Sequence, residues 1–341
     1  MRICICGGGN TGHVLAGFIA SRGADEVRVL TRRPECWART LTVDMPGGGS
    51  VSGRLARVSS SPEEVVQGCD AVMLCLPGWS IATTLDAVCP WLSAGMAVGS
   101  VVSGTGFYFE ARRRLPEGTP LFGFQRVPFI ARTTEYGHRA SLLGYKKELR
   151  MGVEGMADAE RFRQAMERML ATPVALAKNM YEVSLTNSNP LLHPSRLYSL
   201  WKDWRDGVVY SRVPMFYEEW DEQAAELYVG MDGELQALLG VLPVSEGCVP
   251  TVLDYYGSHD AASLAVKLRS ITAFKGIAAP MEKVPGGYVP DFGSRYFTED
   301  FPYGLAIIRR LAKEKNMPTP LMDKVYEWGM GVLRNAASWQ D

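Results

Sequence analysis

His193 is the histidine of this chain whose surroundings best suit acid/base chemistry. It lies in the polar, proline-bracketed stretch SNPLLHPSRLY, whereas His138 belongs to a charged segment and His259 to a predicted helix start. Histidine can give and take a proton near neutral pH because its unperturbed pKa lies close to that value. We therefore predict that His193 is a catalytic acid/base. The alternative is a packed ring in a loop.

A second polar cluster lies in GSRYFTEDFPYGL, which places Arg295, Glu299 and Asp300 among aromatic residues. A carboxylate beside a histidine can fix its tautomer and stabilise its cationic form. An arginine can hold a substrate carboxylate through two parallel hydrogen bonds. The same acidic residues are also typical of a helix start, where the helix dipole favours negative charge, and both interpretations can hold at once.

The loop GGGNTGH offers a dinucleotide site, because Gly7, Gly9 and Gly12 have the spacing G-x-G-x-x-G between a predicted strand and a predicted helix. Gly7 permits a tight turn, Gly9 lets the backbone approach a pyrophosphate, and Gly12 allows the helix to pack closely on the strand. The alternatives are a glycine-rich turn without a ligand and, for the neighbouring His13, packing rather than contact with the pyrophosphate. The predicted cofactor loop comprises Gly7, Gly9, Asn10, Thr11 and Gly12.

The end of the second predicted strand bears on the choice of nucleotide. An acidic residue there would bond the ribose 2′-hydroxyl of NAD, but the sequence has Thr31, Arg32 and Arg33. Two guanidinium groups beside a hydroxyl suit a 2′-phosphate. We predict NADP(H) as the preferred cofactor, with NAD(H) as the second candidate. The alternative is that both arginines are solvated charge near Asp25 and Glu26.

The elements that must position these residues alternate between strands and helices over the first third of the chain, as a doubly wound parallel sheet requires. The predicted strands are RICICGG, EVRVLTRR, CDAVMLCLPG and MAVGSVVSG, and the helices between them include TGHVLAGFIASRG and SSSPEEVVQG. We expect LFGFQRVPFIARTTEYG and HRASLLGYKKELRMGVEG to supply the strands that complete the sheet. ADAERFRQAMERML has the spacing of an amphipathic helix.

The pattern then changes to long helical segments without strand alternation, such as DAASLAVKLRSITAF and PLMDKVYEWGMGVLRNAA. The chain is long enough for two domains with separate cores. We therefore predict an α/β Rossmann-type nucleotide-binding domain over residues 1–173. An all-α substrate-binding domain should follow over residues 174–341.

The composition favours an enzyme that acts on small molecules. Lys and Arg number 36 and Asp and Glu 37, so the formal net charge of -1 gives no reason to expect nucleic acid or an anionic membrane as partner. The seven cysteines, an odd number mostly in apolar segments, suit a reducing compartment, and no Cys/His pair has zinc-ligand spacing. Because the sequence starts without a recognisable signal sequence, we expect a cytoplasmic protein. From the cysteine and histidine spacing we expect no metal site.

Four motifs together resemble the octopine/nopaline (opine) dehydrogenases, and the resemblance spans nearly the whole chain. They are GGGNTGH, QRVPFIAR, NSNPLLHPSRLY and SRYFTEDFPYGL. The resemblance implies a Rossmann domain joined to an all-helical domain of the class seen in relatives of 6-phosphogluconate dehydrogenase. By the same resemblance, His193 matches the family's catalytic histidine, Asp300 its carboxylate partner, and Arg295 the arginine that holds a substrate carboxylate.

The reaction implied by the resemblance is a reductive condensation. The amino group of an amino acid joins the keto carbon of a 2-oxo acid through an imine, which NAD(P)H reduces to an N-(carboxyalkyl) amino acid. His193 would take the proton from the incoming ammonium and assist the loss of water. Several relatives use NAD, so the TRR stretch at residues 31–33 departs from the commoner family pattern.

Two other functions and one assembly remain as alternatives. A ketopantoate-type or 2-hydroxy acid reductase would have the same layout, with Lys178 in LAKNMYE as its acid. A regulator that senses NADP(H) without chemistry would use the glycine loop alone. The apolar stripe of VYEWGMGVL could form a homodimer contact or belong to the core.

Overall fold

The computed structural model describes residues 1–338, and its two compact units divide the chain between Thr186 and Asn187. The strands of the first unit are β1 (Arg2–Cys6), β2 (Glu26–Leu30), β3 (Thr40–Asp44), β4 (Ser50–Arg54), β5 (Arg57–Ser59), β6 (Ala71–Leu74), β7 (Ala97–Ser100), β8 (Leu121–Phe124), β9 (Phe129–Glu135), β10 (Arg139–Tyr145), β11 (Leu149–Glu154) and β12 (Val174–Leu176). Its helices are α1 (Asn10–Ser21), α2 (Pro62–Val66), α3 (Gly78–Val88), α4 (Phe107–Arg114), α5 (Ala159–Leu170) and α6 (Met180–Ser184).

The larger sheet of this unit has the order β12-β11-β8-β7-β6-β1-β2-β5. The six neighbouring strands β8, β7, β6, β1, β2 and β5 run parallel to one another. Strand β11 is antiparallel to β8 and parallel to β12. Strands β6, β7 and β8 are buried along their whole length, as in a parallel sheet covered on both faces. The strand order reverses at β1, which is where doubly wound sheets bind nucleotides.

A second sheet, with the order β4-β3-β10-β9, packs on α1. The contact is close because a Cβ atom on Gly53 of β4 would lie 2.3 Å from the carbonyl oxygen of Gly17 of α1. The expectation that the segments from LFGFQ to GVEG complete one sheet was therefore wrong in part. Strands β8 and β11 join the larger sheet, but β9 and β10 belong to the second. Buried and exposed residues alternate along β9, as expected for a strand with only one covered face.

The first unit extends past the expected domain boundary at residues 173 and 174. Strand β12 pairs with β11, in the register Leu149↔Val174, and α6 packs against β11 and β8. A Cβ atom on Gly152 of β11 would lie 2.8 Å from the carbonyl oxygen of Asn179, so this connection runs directly over the sheet. The chain leaves the first unit only after α6.

Over residues 187–338 the second unit is helical apart from one hairpin. Its elements are α7 (Asn189–Trp201), α8 (Glu222–Leu239), α9 (Val252–Tyr256), α10 (Ala261–Ser270), β13 (Met281–Val284), β14 (Gly287–Pro290), α11 (Arg295–Thr298), a π-helix (Phe301–Leu305), α12 (Ala306–Glu314) and α13 (Pro320–Ser338). Met322 and Val325 of α13 are buried in its core, and the half-buried Trp328 has its ring 5.3 Å from that of Tyr198. The apolar stripe of α13 is thus buried at Val325 and half-buried further along, and a homodimer stays a prediction.

None of the helices in residues 1–338 has the length and apolar character that crossing a lipid bilayer requires. The cysteines at positions 4, 6, 36, 69, 75, 89 and 248 are free thiols.

Candidate active site

His193 and Asp300 form a hydrogen-bonded pair in the second unit. The Nδ1 atom of His193 lies 2.8 Å from Oδ2 of Asp300, and its Nε2 atom lies 2.9 Å from the hydroxyl of Tyr217. Only 6% of His193 is exposed, and the Tyr296 ring covers the imidazole at a centroid distance of 4.4 Å. The structure thus brings these two sequence-distant residues into contact, and their joint catalytic role stays a prediction.

One arrangement of protons satisfies both contacts of the imidazole. An ionised carboxylate only accepts hydrogen bonds, so Nδ1 of His193 carries a proton and donates it to Asp300. In the neutral ring, Nε2 then has a lone pair that accepts a hydrogen bond from the Tyr217 hydroxyl. When Nε2 takes up a second proton, the adjacent carboxylate stabilises the cation. His193, paired with Asp300, can therefore accept a proton and later release it.

The elements that carry the pair approach closely because glycines line their contacts. Helix α7 carries His193, and Asp300 directly precedes the π-helix. A Cβ atom on Gly304 of the π-helix would lie 2.6 Å from the Pro190 side chain of α7, and one on Gly329 of α13 would enter the ring of Phe301. Larger residues at these two positions would separate the π-helix from its neighbours.

The loop that carries Tyr217 is fixed by Arg196, one turn beyond His193 on α7. Its guanidinium donates to the carbonyl oxygens of Phe216 and Glu219 and pairs with the Asp221 carboxylate at 2.5 Å. Arg196 is buried, so these three partners supply the compensation that a buried charge requires. These hydrogen bonds hold the turn in which the Tyr217 hydroxyl lies 2.9 Å from Nε2 of His193.

Burial is the main reason that the pKa of Tyr217 is raised, with further contributions from Tyr296, Tyr256 and Asp300. The pKa of Tyr296 is raised by burial and then by the charge of Asp300. Both phenols accordingly remain protonated near neutral pH, and each can serve as a hydrogen-bond donor.

Arg295 has a different environment from the pair. Its side chain is 80% exposed, and its guanidinium lies 3.9 Å from the Glu299 carboxylate on the next turn. Exposure leaves the guanidinium accessible to a carboxylate from solution. Its role as the substrate-binding arginine stays a prediction.

Two other histidines and the segment around Lys178 were considered as alternative sources of a catalytic acid. His138 and His259 are exposed. The side chain of Asn179 caps α6 by accepting from the backbone N–H groups of Tyr181 and Glu182, and the backbone N–H of Lys178 donates to the Glu182 carboxylate. In residues 1–338 no group of three His, Cys, Asp or Glu residues is placed to hold a metal ion.

The glycine loop has the geometry that a pyrophosphate requires. Gly7 has a φ of +125°, and a Cβ atom there would lie 2.6 Å from the carbonyl oxygen of Cys75. A Cβ atom on Gly12 would lie 2.0 Å from the Gly7 carbonyl oxygen, so α1 can begin against β1 only with glycine there. Nothing lies within 4 Å of a Cβ atom on Gly9, which leaves the exposed helix start open to a ligand.

The side chains of Asn10 and Thr11 complete this loop on the first turn of α1. The Asn10 side chain is exposed and accepts a hydrogen bond from the backbone N–H of Thr133 on β9 at 2.9 Å, and Thr11 is half-buried. The loop is thus tied to the second sheet as well as to the first.

Arg32 and Arg33, just after β2, each lie over an aromatic ring. Arg33 is exposed and its guanidinium lies 4.3 Å above the Tyr136 ring, while Arg32 lies over Trp79 at 5.9 Å. The Tyr136 hydroxyl is 3.4 Å from that of Thr31. An arginine can contact an aromatic ring and also present N–H donors that match a phosphate. These residues could therefore hold a 2′-phosphate.

His13 packs beneath the loop. Its Nδ1 atom donates to the carbonyl oxygen of Gly9 at 3.0 Å, its Nε2 atom accepts from the backbone N–H of Gly137 at 2.7 Å, and its ring stacks on Trp37. Burial lowers the pKa of His13, against an opposing contribution from the Gly9 hydrogen bond. Of the two roles considered, His13 therefore has the packing role, as a neutral ring.

Tyr217 and Tyr136 are site residues that the sequence did not reveal. Tyr217 belongs to the aromatic run MFYEEW, in which any ring could be core, and its contact with His193 depends on the Arg196 turn. Tyr136 lies between β9 and β10, whose sheet was not expected. No spacing rule brings either residue to its site.

Comparison with known families gives two matches along the chain. Residues 176–333 match the NAD/NADP octopine/nopaline dehydrogenase alpha-helical domain. Residues 2–104 match the family described as NADP oxidoreductase coenzyme F420-dependent.

Individual relatives match nearly the whole chain. An opine dehydrogenase of Haliotis discus hannai is 30% identical, over 96% of this chain and 88% of the relative. An octopine dehydrogenase structure with NADH and L-arginine has a TM-score of 0.87 at 28% identity, covering 98% of this chain and 89% of its own. A structure of octopine dehydrogenase with NADH and pyruvate has a TM-score of 0.85 at 27% identity, with the same coverage.

Proposed function

The chain belongs to the octopine/nopaline (opine) dehydrogenase family, and from this membership we propose the reaction that its residues carry out. The protein is an NAD(P)-dependent oxidoreductase that acts on a CH–NH bond. It condenses the amino group of an amino acid with a 2-oxo acid through an imine and reduces the imine to an N-(carboxyalkyl) amino acid. The same reaction can run in reverse. The 2.8 Å contact between His193 and Asp300 is the single observation that carries this proposal.

His193 manages the proton that the condensation releases. An amino acid arrives as an ammonium ion and must lose a proton before its nitrogen can attack the keto carbon. The neutral imidazole accepts that proton, and the Asp300 carboxylate stabilises the resulting cation. The proton returns when the hydroxyl group of the addition product leaves as water. If His193 both removes and returns the proton, its ring must be stable as a neutral imidazole and as a cation. The contact with Asp300 allows both states.

Arg295 is proposed to bind a substrate carboxylate. Both substrates of the condensation carry one, and an exposed guanidinium can form two charge-assisted hydrogen bonds to it. Pyruvate and 2-oxoglutarate are the proposed oxo acids. The support for pyruvate is that octopine dehydrogenase has been solved with NADH and pyruvate. The amino acid would be one whose side chain the second unit accommodates.

The cofactor supplies a hydride to the imine carbon when it is bound. The glycine loop would hold its pyrophosphate, because Gly7 and Gly12 allow the turn and Gly9 leaves the helix start open. We propose that NADP(H) is preferred over NAD(H). The support is the pair Arg32 and Arg33 beside Thr31, where an NAD site would carry a carboxylate.

The test follows NADPH and NADH oxidation with pyruvate or 2-oxoglutarate against a panel of amino acids, in wild type, His193→Ala and Lys178→Ala. We expect oxidation to require both substrates and to be lost in His193→Ala only. Oxidation with the oxo acid alone, lost in Lys178→Ala, would establish a ketopantoate-type or 2-hydroxy acid reductase. Nucleotide binding without oxidation in the presence of every substrate pair would establish a regulator.

A further inference from the structure

Both ring nitrogens of His193 are occupied in the structure. Nδ1 donates to Asp300, and Nε2 accepts from the Tyr217 hydroxyl at 2.9 Å. A neutral imidazole has a single lone pair available for a proton, and it lies in the ring plane at Nε2. A substrate ammonium therefore cannot donate to His193 while Tyr217 does so.

The Tyr217 hydroxyl can serve two partners at once, which the imidazole cannot. A phenol oxygen donates one hydrogen bond and accepts others. We propose that Tyr217 is a catalytic residue that relays the proton between the substrate amine and Nε2 of His193. This inference rests on the proposed opine dehydrogenase reaction and adds to it the group that contacts the substrate nitrogen.

The relay balances in both directions. In the first step the ammonium N–H bond breaks and a new O–H bond forms at Tyr217, while the original phenol O–H bond breaks and an N–H bond forms at Nε2 of His193. The products are a neutral amine, a neutral phenol and an imidazolium beside Asp300. In the dehydration step the protons move in the opposite sense and the departing hydroxyl group takes one. As the C–O bond breaks, the nitrogen lone pair forms the C=N bond of the protonated imine, water leaves, and His193 is neutral again.

The surroundings of Tyr217 suit a relay more than a mobile gate. Its ring stacks on Phe274 at 4.2 Å, and its loop is anchored by the buried Arg196. Displacing the hydroxyl from Nε2 would disrupt this packing. Burial raises the pKa of Tyr217, so a free phenolate is disfavoured and the hydroxyl gives up its proton only as it gains another.

The experiment compares wild type, His193→Ala, Tyr217→Phe and the double variant in the two-substrate assay. Phenylalanine keeps the ring that packs on Phe274 and removes only the hydroxyl. If the proton path runs through both groups, the two single variants and the double variant should have the same kcat, about 10²- to 10⁴-fold below wild type. The KM for the nucleotide should not change, and Tyr228→Phe, another buried tyrosine of this unit, should retain wild-type kcat.

The solvent isotope effect separates a relay from a structural contribution. Two protons move in one step, so kcat of wild type in mixtures of H2O and D2O should fall along a curve, whereas a single transfer gives a line. A linear dependence, or a loss of only a few-fold in Tyr217→Phe, would overturn the relay and leave His193 in direct contact with substrate. If Tyr217→Phe does not fold, 3-fluorotyrosine at this position keeps the hydroxyl and lowers its pKa. The relay then predicts a changed kcat, and an unchanged kcat overturns it.

Different results would contradict the proposed condensation reaction and the Tyr217 relay. A wild type that never couples the two substrates contradicts the proposed function and the relay together. A wild type that does so, with loss in His193→Ala but full activity in Tyr217→Phe, contradicts the relay alone.

Discussion

The Nδ1 atom of His193 donates a hydrogen bond to Oδ2 of Asp300 over 2.8 Å, although 107 positions separate the two residues in sequence. The contact exists because the turn before the π-helix lies against α7, an approach that Gly304 permits at Pro190. It sets the tautomer of the imidazole and leaves the lone pair that can accept a proton at Nε2.

Asp300→Asn removes the charge of this partner and keeps its shape. We expect kcat to fall by about 10²- to 10⁴-fold, because an amide cannot stabilise the imidazolium and no longer fixes its tautomer. Steady-state kinetics of the condensation measure this, and thermal unfolding verifies the fold. Asp254→Asn, which changes an exposed carboxylate on α9, is the matched control. Near-normal kcat in Asp300→Asn would remove the pair from the mechanism.

Arg295→Ala should affect substrate binding without affecting stability. The side chain is 80% exposed, so its removal leaves no cavity and the midpoint of thermal unfolding should not move. A lost charge-assisted pair should raise the KM of the substrate whose carboxylate it holds by about 10- to 100-fold. Arg205→Ala, an exposed arginine of the same unit, should behave as wild type. Unchanged KM values for both substrates would assign the carboxylate to another residue.

Gly9→Ala separates folding from nucleotide binding. The backbone of Gly9 is extended and nothing lies within 4 Å of the added Cβ atom, so the variant should unfold at the wild-type temperature. The methyl group would occupy the place where the pyrophosphate approaches, and we expect the Kd for nucleotide to rise by about tenfold or more. Gly12→Ala should destabilise the first unit instead. Wild-type nucleotide affinity in Gly9→Ala would argue against a pyrophosphate at this loop.

Arg33→Ala tests the nucleotide preference. Loss of the guanidinium over Tyr136 should weaken NADPH binding by about tenfold and leave NADH binding unchanged, because only NADPH carries the 2′-phosphate. Fluorescence titration of both nucleotides measures the two Kd values. Arg161→Ala on α5 changes the net charge equally at an exposed site. Equal losses for NADPH and NADH would show that Arg33 does not read the 2′-phosphate.

His13 should make the first unit sensitive to acid. Burial lowers its pKa in the folded state, so below the ordinary value of about 6.5 the unfolded chain binds a proton that the folded chain does not. The stability that neutral His13 contributes is present above that pH and is lost as the pH falls toward the folded-state pKa. Thermal unfolding between pH 7.5 and pH 5.5 should therefore show a smaller loss in His13→Gln than in wild type. An equal loss would mean that His13 is not the titrating group.

The sequence was informative where one local rule decides the structure. The spacing of Gly7, Gly9 and Gly12 after an apolar run predicted the β1–α1 turn, because each glycine answers a separate steric demand there. The expected contact between His193 and Asp300 required the family motifs as well, since their 107-residue separation has no periodicity.

The features that the sequence did not reveal depend on contacts between distant elements. The second sheet forms because one face of β9 and β10 packs on α1, whereas apolar runs alone suggested one continuous sheet. The position of Tyr136 beside Thr31 and Arg33 depends on that sheet. Tyr217 reaches His193 only because Arg196 fixes its loop from α7, and no pattern in MFYEEW distinguishes it from the neighbouring rings.

If hydride is transferred to the imine carbon while His193 transfers the proton, a deuterium label on the nucleotide must end on that carbon. The enzyme is incubated with NADPH deuterated at its transferable position, pyruvate and an amino acid, and the products are analysed by mass spectrometry and NMR. We expect a secondary amine with the mass of both substrates plus two hydrogens less one water, with the label on the former keto carbon. His193→Ala should give no such product. Label found in a 2-hydroxy acid, with the amino acid unchanged, would contradict this expectation.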